Sequence, residues 1–277
     1  MTMKDGNKLE VVKKFILERK YALWLLLWLA YGLWYALLNR FQTHCHLIHM
    51  AVDDKIPFLP VFSVFYVMWY LYIAFALLLT LIKSKRDFLV MCCLIFLALF
   101  SSLIVCTIYP SMHDLRPADS EMGTSFFADV VRWHYNHDEP RVILPSMHCI
   151  VAIVITVGLI CSDTCKGNWI VRILCPILSV LIMLSTVFIK QHSFADVLLA
   201  IGMSIPVCLL TYFVILPKKR FEKDAAPLEQ EEASPAPADA NDPLNDPAPT
   251  MLFLSQDDEF EAEREELAAS GEDQKEE

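Results

Sequence analysis

Apolar residues in this 277-residue chain are gathered into long blocks instead of being dispersed. Six such blocks run approximately 21–38, 57–82, 88–109, 143–161, 169–189 and 194–216. A hydrocarbon core about 30 Å thick is crossed by about 20 apolar residues in a helix. The pattern therefore predicts an all-α polytopic membrane protein with six transmembrane helices in a domain spanning 21–216. The connection between blocks five and six is very short. The longest connection, 110–142, carries Arg116-Pro117, aromatic clusters and Asp138-Glu139-Pro140. Its aromatics predict a segment resting against the membrane interface.

The flanks read differently. Residues 1–20 are predicted to form a short basic amphipathic segment at the inner headgroups. From 217 the chain passes through a basic stop into a Pro-, Ala-, Asp- and Glu-rich tail, which lacks the apolar content to offset the entropy of ordering. This tail to residue 277 is expected to be disordered. It carries most of the acid behind the net charge of −10. Met251 to Ala268 is helix-prone and is the place where a cytoplasmic partner would dock, although a solvated charged tail needs no partner.

Charge placement orients the bundle. Lys4, Lys8, Lys13, Lys14, Arg19 and Lys20 precede the first block; Lys83, Lys85 and Arg86, then Lys166, then Lys218, Lys219, Arg220 and Lys223 fall on the same side. The positive-inside rule makes that side cytoplasmic, with both termini there. A multi-pass cell-membrane protein is expected. No basic stripe with interleaved aromatics supports nucleic-acid binding. The nine cysteines lie mostly inside apolar blocks, with neither zinc spacing nor a secreted disulfide pattern. His44, Cys45, His46 and His49 suit neither one helix face nor a zinc finger and are read as an ordinary interfacial loop.

The chemistry-bearing residues converge on the opposite side. Arg116 precedes block four, Ser146 and His148 open it, and Lys190, His192 and Asp196 open block six. Polar groups at a membrane boundary are costly and point to function. Pro145 suits a first helical turn, which would leave Ser146 and its neighbours with free N–H groups, a phosphate-binding helix end. His192 and Asp196 are four apart, one turn on a helix face, so the carboxylate can fix the imidazole tautomer and leave the other nitrogen to attack.

These residues resemble the three motifs of the type-2 phosphatidic-acid phosphatase superfamily: Lys-x6-Arg-Pro, Pro-Ser-Gly-His and Ser-Arg-x5-His-x3-Asp. Pro145-Ser146-Met147-His148 matches the second with Met for Gly. Ser185-Thr186, five residues, His192, three residues and Asp196 match the third with Thr for Arg. Arg116-Pro117 ends the first, with Tyr109 at its Lys position. Tyr-Pro near Arg-Pro and Lys-Gln-His are similar to the branch related to inositol-phosphorylceramide synthases. The resemblance implies a six-helix core, no metal or other cofactor, and an extracytoplasmic active site.

Carried over, it implies that His192 attacks phosphorus, Asp196 orients it, and His148 protonates the leaving oxygen. Arg116, Ser146 and Lys190 hold phosphoryl oxygens; Tyr109, Thr186 and Asp138 are further candidates. The expected activity is hydrolysis of a membrane lipid phosphate or diphosphate such as phosphatidic acid or a polyprenyl diphosphate. The alternatives are transfer of a phosphorylated headgroup to a hydroxyl acceptor and, of another class, a non-catalytic lipid-binding relative.

Overall fold

A computed structural model describes residues 20–217. The expectations for the basic segment before residue 20, the tail after 217 and the stretch Met251 to Ala268 lie outside the described residues. The described chain is mostly helical. A 3-10 turn, Lys20–Leu26, leads into α1, Leu27–Phe41. α2 spans Ser63–Lys83 and α3 Lys85–Ile108. A short α4, Phe126–His137, precedes α5, Met147–Cys161. α6, Trp169–Phe188, and α7, Phe194–Leu209, follow, and π-type turns extend the chain from Leu210 to Ile215.

Five stretches are long and apolar enough to cross a membrane: Tyr21–Phe41, Pro60–Lys83, Lys85–Ile108, Trp169–Phe188 and Phe194–Ile215. The fourth predicted span, 143–161, is the exception. Its helix begins only at Met147, because Ser146 has extended backbone and caps it through a hydroxyl that accepts from Cys149 N. The resulting 15 residues rise about 22 Å at 1.5 Å each. Pro145 thus precedes the cap and does not open the helix as expected.

α5 is nevertheless the centre of the bundle. It packs on α2, α3, α6 and α7, and Cys149, Ile150, Val151, Ala152, Val154, Ile155 and Leu159 are fully buried. A helix that is hydrophobic all round belongs in a protein core or in lipid, and α5 is enclosed by protein. Gly158 lets α3 come close: a Cβ there would lie 2.9 Å from Met91 Cε and 3.0 Å from Leu94 Cδ1. The outer helices face the other way. Ile170, Ile173, Leu174, Ile177, Val180 and Leu184 leave an exposed apolar stripe along α6, the kind of surface that requires an apolar surrounding.

At one end, the loops after α1, after α3 and before α5 are stitched together. His46–Leu47 (β1) pairs in parallel with Ser111–Met112 (β2), and Met112 also bridges Arg141. The His44–His49 loop forms part of this stitching, as an ordinary loop. His46 stacks on Tyr109 at 4.3 Å, and His49 lies between two carboxylates, Nε2 2.9 Å from Asp54 and Nδ1 3.0 Å from Asp114.

The two carboxylates hydrogen-bonded to its ring raise the His49 pKa, and His49 in turn lowers that of Asp114. A raised folded value means that the clamp contributes fully below about 6.5 and is lost as pH rises through the folded pKa. In an imidazole titration followed by NMR, His49 is expected to titrate above its ordinary value and to move back toward it in Asp114→Asn. An unshifted His49 in the parent protein would show that the clamp does not form.

Candidate active site

The short connection between α6 and α7 begins with a tight reversal. Lys190 adopts a left-handed backbone (φ 53°), uncommon for a residue with a Cβ. The N–H groups of Gln191 and His192 both bond to Thr186 O, and Ser193 then caps α7. His192 therefore lies outside the helix, and its bond to Asp196 does not arise from a shared helical face. Asp196 reaches back across the cap: its Oδ2 accepts from Ser193 N at 3.0 Å and from His192 Nδ1 at 3.1 Å. A carboxylate that accepts at Nδ1 leaves the proton there and a lone pair on Nε2.

His148, in the first turn of α5, faces this imidazole with ring centroids 5.9 Å apart. It is wedged between Tyr66 and Trp69, each at 4.3 Å, and both of its ring nitrogens are buried without a hydrogen-bond partner. α5 and α7 are locked together here by Ser146 N, which donates to Asp196 O at 3.2 Å.

Arg116 completes the centre from the loop after α3. Its Nη1 donates to Tyr135 O, and its Nη2 to Asp138 O and Gln191 Oε1, both at 2.7 Å; its guanidinium lies over the Tyr135 ring at 4.3 Å. Those two carbonyls belong to the end of α4, where the helix dipole is negative and welcomes a cation. Tyr135 is fixed in turn by its hydroxyl, which donates to Ile189 O at 2.6 Å. The loop expected to rest against the interface thus contains a helix whose C-terminus seats the arginine.

The structure separates the remaining expected residues. Ser146 is fully buried as a helix cap, and its own N–H is already bonded. Lys190 turns away from the histidines, and Nζ donates to Asp53 O at 2.6 Å. Tyr109 is exposed and stacked on His46. Thr186 is buried and donates to Met183 O. Asp138 lines the cavity beside the histidines.

Several residues at the centre were not anticipated. Gln191 is one, with Nε2 buried and unpartnered. His113 is another. Its Nδ1 accepts from Leu115 N, which places the hydrogen on a buried, unpartnered Nε2. Burial, with His192 and Arg116 nearby, lowers the His113 pKa to about 3, so it is neutral at pH 7. Its position three residues before Arg116 was the available clue. Trp69 Nε1 and Arg116 Nε are also buried donors without partners. Such orphans are rare in folded proteins and are met by an ordered water, an ion or a ligand; the donors among them outnumber the acceptor Asp196 Oδ1 and suit an anion.

Among the described residues, no group of three or more His, Cys, Asp or Glu is placed to hold a metal ion. No family model, curated protein or solved structure matches this chain.

Proposed function

We propose that the chain is a six-span membrane enzyme that breaks a lipid phosphate ester through a phosphohistidine on His192, at the extracytoplasmic face. The observation carrying this reading is the paired geometry. His192 is oriented by Asp196 with Nε2 left free, and His148 faces it with ring centroids 5.9 Å apart, both lining a cavity of about 380 Å³. Arg116 and the orphaned donors are suited to the charge that spreads over the phosphoryl oxygens in the transition state. In the first step the His192 Nε2–phosphorus bond forms, the ester bond breaks and the leaving oxygen takes its proton from His148. In the second, water replaces the imidazole and returns a proton to His148.

In this reading α5 is the sixth span, and the positive-inside rule argues for both termini in the cytoplasm.

Headgroup transfer is the second reading, and a specific observation favours it. Arg116 is the one motif cation at the centre, since Lys190 is turned onto Asp53 and Tyr109 and Thr186 replace a Lys and an Arg. One guanidinium matches a singly charged phosphodiester better than a phosphomonoester dianion.

The test uses purified protein in maltoside micelles with EDTA, given short-chain phosphatidic acid and polyprenyl diphosphate. Release of inorganic phosphate is expected under hydrolysis. Headgroup appearing only on an added polyol or lipid alcohol would replace hydrolysis with transfer. No turnover of any lipid phosphate, with lipid still bound, would leave a lipid-binding protein.

A further inference from the structure

The cavity beside the two histidines has a composition that the phosphoryl chemistry does not require. It lies between α1 and α2, a gap left open because α1 rests chiefly on α3. α1 lines it with Trp28, Tyr31 and Tyr35, and α2 with Tyr66, Trp69 and Tyr70. A slot for an acyl chain needs only aliphatic walls. Ring faces carry negative quadrupole charge and attract cations, most strongly those that surrender little hydration on entry.

The acidic residues at the same cavity agree with this. Glu139 is neutralised by Arg141, whose Nε and Nη2 bond Oε2 at 3.1 and 2.5 Å. The nearest basic group to the Asp138 carboxylate is His134 Nδ1, at 4.0 Å. Burial lowers the His134 pKa, so that imidazole is neutral at pH 7 and does not cancel the charge. Arg116 meets Asp138 through its backbone carbonyl. The Asp138 carboxylate thus lines the aromatic cavity without a side-chain ion pair to a charged partner, immediately beside the guanidinium assigned to phosphate. This juxtaposition is complementary to a zwitterion.

We propose that the aromatic cavity receives the quaternary ammonium of a choline-type phospholipid whose phosphodiester lies between His192 and Arg116. The assignment rests on the phosphoryl-transfer reading above and deepens it. A primary ammonium would lose hydrogen bonds that ring faces do not return, whereas a trimethylammonium has none to lose. The reaction follows the same balance. His192 Nε2 bonds to phosphorus, the phosphorus–diacylglycerol oxygen bond breaks, and His148 protonates the released alcohol. Phosphocholine then leaves His192 to water or to an acceptor hydroxyl, whose proton passes to His148.

Short-chain phosphatidylcholine and phosphatidylethanolamine are titrated against the protein in maltoside micelles by calorimetry, and diacylglycerol release is followed in parallel. Phosphatidylcholine is expected to bind more tightly. Tyr70→Leu is expected to lower the affinity ratio of the two lipids about tenfold and Tyr70→Phe to keep it, whereas Asp138→Asn is expected to weaken both lipids without lowering the ratio. A choline preference that collapses in Tyr70→Leu, with neither diacylglycerol released from phosphatidylcholine nor phosphate from phosphatidic acid, upholds the cavity assignment and removes the phosphoryl reading. Equal affinities, or a ratio that Tyr70→Leu does not change, overturn the cavity assignment even where phosphatidic acid is cleaved.

Discussion

His192→Ala is expected to lower turnover of every lipid phosphate by at least about 10⁴-fold, the scale on which a lost nucleophile is felt. The fold is expected to survive. The one side-chain hydrogen bond of His192 goes to Asp196 Oδ2, which keeps its bond from Ser193 N. His148→Ala is expected to behave differently, because a general acid matters in proportion to the basicity of the leaving oxygen. Loss of about 10² to 10⁴-fold is expected for a glycerol alkoxide, and a much smaller loss for p-nitrophenyl phosphate, whose leaving group needs no proton. The two variants are compared on both substrates in EDTA. An equal penalty for His148→Ala on both would remove its role as proton donor. His192→Ala retaining a tenth of the activity would remove the phosphohistidine.

Much of this arrangement was legible because it rests on block length and spacing. The five long helices follow from apolar runs with a bilayer's length, and the starts of blocks four and six do meet, with His148 facing His192. The His192–Asp196 bond forms across the α7 cap and not along the helix face that the spacing suggests. The errors have local causes. A run of apolar residues does not reveal that Ser146 caps α5, so the pattern predicts a fourth span longer than the helix. Lys190 stands at the right place in the chain, but its left-handed backbone directs the amine to Asp53 O. Helix α4 lies inside the stretch that the apolar blocks leave as a loop, although Ser125, which caps it by accepting from Ala128 N, is an ordinary start signal. His113, Asp53 and the aromatic cavity acquire their meaning from contacts between distant parts of the chain, which no periodicity encodes.

Asp53 gives the second large expected effect. Its side chain is almost wholly buried beneath the start of α7. Oδ1 accepts from Phe194 N at 2.8 Å, while Oδ2 accepts from Ser193 Oγ at 2.6 Å and Met50 N at 2.8 Å. The loop after α1 thereby holds the cap from which Asp196 reaches His192. In Asp53→Asn one acceptor remains, and the new amide must place its donors against N–H or O–H donors whichever way it turns. Bonds to a charged acceptor are worth about 1.5–3 kcal/mol each, and a buried donor left unmet costs a similar amount. A loss of about 3 kcal/mol is therefore expected, lowering the thermal midpoint by about 6–12 °C for a chain of this size. Turnover is expected to fall about 10²-fold in kcat, since a displacement of about 1 Å at a catalytic group has that consequence. Asp54→Asn, which changes a carboxylate at the exposed His49 clamp, is expected to leave the midpoint within about a degree because surface pairs contribute little. If Asp53→Asn melted with the parent protein and kept its kcat, the cap would not depend on this carboxylate. His192 would then be positioned by the Thr186 carbonyl and Asp196 alone.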